Sequence, residues 1–137
     1  MNADKFYTIA IDFDGTLVEN AYPKIGKPVI FAFETLKALQ EKGHRLILWT
    51  YRSGKELDEA VDFCKEKGIE FYAVNKSFPE EIFDNTQSRK ILADIYIDDR
   101  NIGGLMEWGE MYQLLIGEEK PLSGSKKKGV FSLFKKS

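Results

Sequence analysis

Residues 6–13, Phe-Tyr-Thr-Ile-Ala-Ile-Asp-Phe, form an almost unbroken apolar run rich in β-branched and aromatic side chains. A strand with one wet face alternates polar and apolar residues. A continuous run fits a strand buried on both faces, as in a parallel sheet. Parallel strands need crossovers between them, and the rest of the chain supplies candidates. Pro28 suits the first turn of a helix. Phe31, Phe33, Leu36 and Leu39 then follow a roughly helical spacing until Gly43 stops it. Arg45 to Trp49 reads as a second strand. A helix is predicted from about Gly54 to Lys67, with Leu57, Ala60, Val61 and Cys64 as its inner stripe. Ile69 to Val74 and Ile91 to Ile97 read as strands three and four. Leu105, Trp108, Met111, Tyr112 and Leu115 place a last helix over 105–116. The expected fold is α/β, a three-layer, Rossmann-like open parallel sheet with helices on both faces.

The chain has 137 residues, the size of one domain. The expected organisation is a folded domain over 1–117 and a basic, mobile tail over 118–137. Residues 18–27 read as a loop or short hairpin, and 75–90 as a polar stretch with a short helical patch after Pro79. Residues 1–119 hold fourteen bases against twenty-two acids, while residues 120–137 hold six lysines and no acid. An acidic body does not suggest an extended nucleic-acid surface. The tail mixes its lysines with Phe131 and Phe134, a pattern able to touch anionic lipid or nucleic acid, but a solvated tail is the plainer reading. No apolar run is long enough to span a bilayer, and Met-Asn-Ala-Asp-Lys is no secretory signal, so a cytoplasmic protein is expected. Cys64 is the only cysteine and His44 the only histidine. Internal disulfides, cysteine-rich zinc sites, serine triads and multi-histidine metal sites are excluded. His44 is expected at the surface or at a helix end, and Cys64 in the core. Chemistry must rest on carboxylates, hydroxyls, Lys or Arg.

In open α/β sheets ligands bind at the carboxyl ends of the strands, and the reactive residue types collect there. Strand one ends in Asp12-Phe13-Asp14-Gly15-Thr16. Residues two apart on an extended segment share a face, so Asp12 and Asp14 converge if the strand persists. Close carboxylates repel and need a cation or a shared proton, and Mg²⁺ is the hard, oxygen-loving cation for such a pair. The plain alternative is a strand-end turn in which Asp and Gly supply only turn chemistry. Strand two ends in Thr50-Tyr51-Arg52, where Thr50 can hold a phosphate oxygen or cap the next helix. Strand four ends in Asp98-Asp99-Arg100-Asn101, again two acids that a cation would relieve. Arg52 and Arg100 are read as substrate contacts or as solvated residues.

Together, Asp12-Phe13-Asp14-Gly15-Thr16, Thr50 and Asp98-Asp99 resemble the motifs of the haloacid dehalogenase superfamily of phosphohydrolases, over residues 6 to about 101. The resemblance implies that Asp12 attacks phosphorus to form an aspartyl phosphate. It makes Asp14 the general acid and then the base, with its backbone carbonyl on the metal. It implies Mg²⁺ held by Asp12, that carbonyl and Asp98, with Asp99 fixing the site, and Thr50 bonded to the phosphate. It further implies a lysine that neutralises the phosphate. Lys76 follows strand three at the favoured end of the sheet. Lys90 precedes Asp98 by eight residues and reaches the site only if part of that segment is not extended. Both are kept, with Lys76 favoured. Neither connection is long enough for the cap domain many members carry, so the resemblance is to a capless member with an open site. Such sites go with large substrates or with closure by a neighbouring copy of the chain, and the loop holding Tyr22 and Pro23 reads as a small flap.

The resulting expectation is a Mg²⁺-dependent phosphatase acting on a phosphorylated small molecule or on a phosphate at a polymer end. The alternatives are a non-catalytic phosphate-binding or regulatory module on the same fold, and a phosphoacceptor receiver domain. The latter places its phosphorylated Asp after a middle strand, where this chain has Val74-Asn75.

Overall fold

The computed structural model describes residues 5–82 and 90–117. The order of elements is β1 (Thr8–Ile11), α1 (Ala32–Glu41), β2 (Arg45–Leu48), α2 (Gly54–Glu66), β3 (Ala73–Val74), β4 (Ile95–Ile97) and α3 (Trp108–Ile116). The four strands form one sheet in the order β3-β2-β1-β4, and every pairing is parallel. This is a small α/β, Rossmann-like fold, and no cap domain is evident among the described residues.

The strand order contains the site's location. From β1 the chain steps outward through β2 to β3, then crosses back to place β4 on the other side of β1. The β1–β4 seam is therefore the switch point where an open sheet leaves a crevice. Right-handed crossovers put α1 and α2 on one face, and Ile91 and Ala93, just before β4, pack on the other. Packing agrees. Ile9, Ile11, Leu46 and Leu48 join side chains from all three helices in the larger core cluster. Ala10, Ile47 and Ala73 point the opposite way, against Ile91 and the partly buried Trp49, Tyr72, Ala93 and Tyr96. Alternate residues of β1 thus serve both layers, which accounts for its unbroken apolar run.

The elements are shorter than the apolar runs predict. Strand three contracts from 69–74 to two residues and strand four from 91–97 to three, since burial extends beyond ladder pairing: Ile69 and Ile91 are buried outside any strand. Pro28 does not open a helix. It pairs with Val18 across a narrow hairpin, with the Glu19 N–H bonded to the Lys27 carbonyl at 2.8 Å, and α1 starts at Ala32. Gly26 makes the hairpin possible, because a Cβ there would lie 2.0 Å from the Glu19 carbonyl oxygen. His44 lies just past the end of α1, one of the two places expected, but is buried: its N–H bonds the Leu39 carbonyl at 3.1 Å and its Nδ1 accepts the Tyr7 N–H at 3.0 Å. Cys64 is fully buried, as expected. The helical patch after Pro79 falls partly on residues 83–89, and the basic tail on 118–137. Both lie outside the described residues. No described helix is long and apolar enough to cross a membrane.

Candidate active site

Register brings the reactive residues together. Ile11 pairs with Leu48 on one side and Ile97 on the other, and Leu48 pairs with Val74. The next residue of each chain segment, Asp12, Trp49, Asn75 and Asp98, therefore leaves the sheet at one level. Asp12 and Asp98 are neighbours across the β1–β4 seam, tied by the Asp12 N–H to the Ile97 carbonyl at 2.9 Å.

Carboxylate oxygens of Asp12, Asp98 and Asp99 lie within 4.8 Å of one another. Thr16 links two of these residues. Its Oγ1 donates to Asp12 Oδ2 at 3.1 Å and accepts the Asp99 N–H at 3.1 Å. The turn that returns Thr16 to this position depends on Gly15, at φ +86°, where a Cβ would meet Asp99 Oδ2 at 2.4 Å. Behind it, the buried Trp108 Nε1 donates to the Thr16 carbonyl at 2.9 Å. Asp98 Oδ1 accepts the Arg100 N–H at 3.0 Å, which fixes the turn out of β4.

Burial pushes the Asp12 carboxyl up to about 7; a bond from Phe13 N–H opposes the rise and the charge of Asp98 adds to it. Three carboxylates in so small a volume suit a divalent cation. The donors are all hard oxygens, with no nitrogen or sulfur ligand, and a cation would offset the repulsion that Asp98 adds to the effect of burial on Asp12.

Asp14 departs from the expected convergence with Asp12. β1 ends at Ile11, so the extended geometry is lost before Asp14. Its side chain, 1% exposed, turns to Arg52 instead. The Arg52 Nε and Nη2 donate to Asp14 Oδ2 and Oδ1, each at 2.8 Å. Arg52 is 1% exposed, not solvated, and its remaining N–H groups bond the carbonyls of Pro23, Lys24 and Glu56 at 3.0–3.2 Å. The bonds to Asp14 raise the guanidinium above its ordinary value despite desolvation.

Thr50 stands at the carboxyl end of β2, as expected. Its hydroxyl accepts the Arg52 N–H at 3.2 Å, and its own N–H donates to Asn75 Oδ1 at 2.8 Å. Asn75 holds a left-handed backbone, φ 56°, which its short polar side chain tolerates. Lys76 Nζ donates to the Pro79 carbonyl at 3.4 Å. The Lys90 ammonium lies 5.9 Å from the centre of the Tyr96 ring. Only 95–97 of the segment before Asp98 is strand, and Lys90 lines a cavity with Thr8 and Arg45, the first residues of β1 and β2, and with Asp94.

No family model matches the chain, and no curated protein matches it. A solved structure does: the conserved protein coded by locus from Bacteroides thetaiotaomicron, 52% identical over 89% of this chain and 100% of that chain, with a TM-score of 0.76. The chain belongs to the family of that conserved protein. The family's parallel sheet is the scaffold for everything above, and the relative's name carries no activity.

Thr16, Asn75 and Tyr51 carry no assigned role in the sequence alone, and Arg52 carries two possible ones. Thr16 had a signal, its place directly after Asp-Gly. Arg52 had a weaker one, since a cation two residues after Thr50 stands opposite an acid that needs a partner. Asn75 and Trp108 act through pairings that join distant parts of the chain.

Proposed function

We propose that this chain is a Mg²⁺-dependent phosphomonoester hydrolase working through an aspartyl phosphate on Asp12. The observation that carries the reading is the cluster of Asp12, Asp98 and Asp99 at the β1–β4 switch point. It agrees with the resemblance to the haloacid dehalogenase superfamily.

Asp12, Asp98 and Asp99 would hold the metal, joined by the backbone carbonyl of Asp14. When bound, Mg²⁺ neutralises the carboxylates and the charge on a transferring phosphoryl group. Asp12 is the nucleophile. A carboxylate oxygen forms a bond to phosphorus as the ester oxygen leaves with its electron pair, and water then releases phosphate and restores Asp12. Thr16 orients Asp12 for attack through its hydroxyl. Asp14 gives a proton to the leaving alcohol and takes one from water. Its pairing with Arg52 means that it must loosen that grip to do so. Thr50, at the start of the loop into α2, would bond a phosphate oxygen. The neutralising lysine is Lys76 or Lys90. Substituting each by alanine assigns the role to the one whose loss abolishes turnover.

The substrate in this reading is a phosphorylated small molecule or polymer end, reached through an open site that the Tyr22–Pro23 loop or a second copy of the chain would narrow. A cytoplasmic setting fits a lone buried cysteine. The test is phosphate release from a panel of phosphomonoesters with Mg²⁺ or EDTA. Metal-dependent release by wild type, lost in Asp12→Asn, is expected. Release that survives EDTA or Asp12→Asn would overturn the reading.

A further inference from the structure

Two exposed tyrosines stand at the rim of the site. Tyr22 and Tyr51 are 45% and 56% exposed, and their rings meet edge to face with centroids 5.1 Å apart. They come from different loops. Tyr51 directly follows Thr50, and Tyr22 sits in the loop whose Pro23 and Lys24 carbonyls are bound by Arg52. The Arg52 guanidinium also lies over the Tyr22 ring, 5.0 Å from its centre. One buried cation therefore holds both Asp14 and the Tyr22 ring. The Tyr51 phenol is raised above its ordinary value by desolvation and then by the charges of Asp14 and Asp12, so it lies within electrostatic reach of both carboxylates.

Large aromatic surface left open on an ordered frame offers a ready contact for a ligand. Flat rings stack well on tyrosine, and the gain needs no particular hydrogen-bond pattern. With phosphate at Asp12 and no cap domain among the described residues, the alcohol part of an ester would emerge past this rim. The acidic body disfavours a long phosphodiester chain, so the group that emerges is small or a strand end.

We propose that Tyr22 and Tyr51 form an aromatic platform for a flat ring on the alcohol side of the phosphomonoester, so that this site prefers esters bearing a nucleobase or an aryl group over bare sugar or alkyl phosphates. The proposal rests on the reading of the carboxylate cluster as a phosphate site. It adds the determinant of specificity.

The experiment measures binding without turnover. The full chain with Mg²⁺ is titrated calorimetrically with two pairs of non-hydrolysable phosphonates. One pair is benzylphosphonate and cyclohexylmethylphosphonate, and the other is the phosphonate analogues of adenosine 5′-monophosphate and ribose 5-phosphate. The flat member of at least one pair should bind roughly ten-fold tighter, the weight of one ring stacked on an aromatic side chain. Tyr51→Ala should erase that preference, Tyr51→Phe should keep it, and the saturated ligands should be unaffected. Tyr51 is exposed enough that its removal leaves the core intact, and Tyr22→Leu provides the second variant. Preference in only one pair identifies the ring as nucleobase or aryl. Equal affinity within both pairs, absence of binding by all four, or a preference that survives Tyr51→Ala and Tyr22→Leu overturns the proposal. The hydrolase reading fails separately: ring preference in binding with no phosphate released from any ester would retain the platform and remove the enzyme.

Discussion

Arg52 grips Asp14 with two parallel hydrogen bonds, Nε to Oδ2 and Nη2 to Oδ1, both 2.8 Å long, and neither side chain is more than 1% exposed. All five N–H groups of the guanidinium are used, since Pro23, Lys24 and Glu56 supply carbonyls for the other three. The planar fork of arginine matches this arrangement in a way lysine does not. The pair joins the site, the Tyr22 loop and the first turn of α2.

Removing one partner leaves the other charged and buried. Arg52→Met is therefore expected to destabilise the fold by about 3–5 kcal/mol, the usual cost of orphaning a buried ion. Chemical denaturation measures it. Arg52→Met with Asp14→Leu should recover much of the loss. A single variant as stable as wild type would mean that the pair contributes little to stability.

Asp14→Asn separates proton donation from the rest of the chemistry. Phosphate release from an alkyl ester should fall by roughly 10²–10⁴, the range for one general acid–base group. Release from p-nitrophenyl phosphate, whose leaving group departs without a proton, should fall much less. Equal losses on both esters would remove Asp14 from the role of acid.

The Asp12 carboxyl makes metal-free stability depend on pH. Its value is raised from 3.8 to about 7 in the fold, mainly by burial. The folded state thus holds a proton that the unfolded state has released, and stability falls as pH rises between those values. In EDTA the melting temperature should be higher near pH 5 than near pH 8. Mg²⁺ binds the ionised form, so it should raise the melting temperature more at pH 8. A metal effect of the same size at both pH values would contradict the assignment of Asp12 as a ligand.

Gly15→Ala tests the close approach beneath the cluster. At φ +86° an alanine is strained by roughly 1–2 kcal/mol, and its Cβ would sit 2.4 Å from Asp99 Oδ2. Both lost stability and weaker Mg²⁺ binding are expected, the second read by calorimetry. Unchanged metal affinity would show that Asp99 can move aside without loss.

The parallel sheet and the positions of the acids were legible in the chain because they follow from short-range pattern. A run such as Ile9-Ala10-Ile11 has to be covered on both faces, and strands covered that way end where polar residues begin. That alone put Asp12, Thr50 and Asp98 at one end of the sheet. Strand lengths were overestimated, since Ile69 and Ile91 are buried without joining a ladder, and apolar composition reports burial rather than hydrogen bonding.

Tertiary structure decided how the acids divide. By sequence Asp12 and Asp14 are a pair two residues apart. In the fold Asp12 joins Asp98 and Asp99, eighty-six and eighty-seven residues on, while Asp14 turns to Arg52. The end of β1 at Ile11 and the turn at Gly15 break the alternation that would have kept them on one face. Desolvation then decides which cation each acid needs. Asp14, sealed inside, has its own arginine, whereas the half-buried carboxylates of Asp12, Asp98 and Asp99 face one another in a group that could hold a cation. Local pattern placed the reactive groups at the same end of the sheet, and only long-range packing chose their partners, because a buried charge is satisfied by whatever the fold brings within hydrogen-bonding distance.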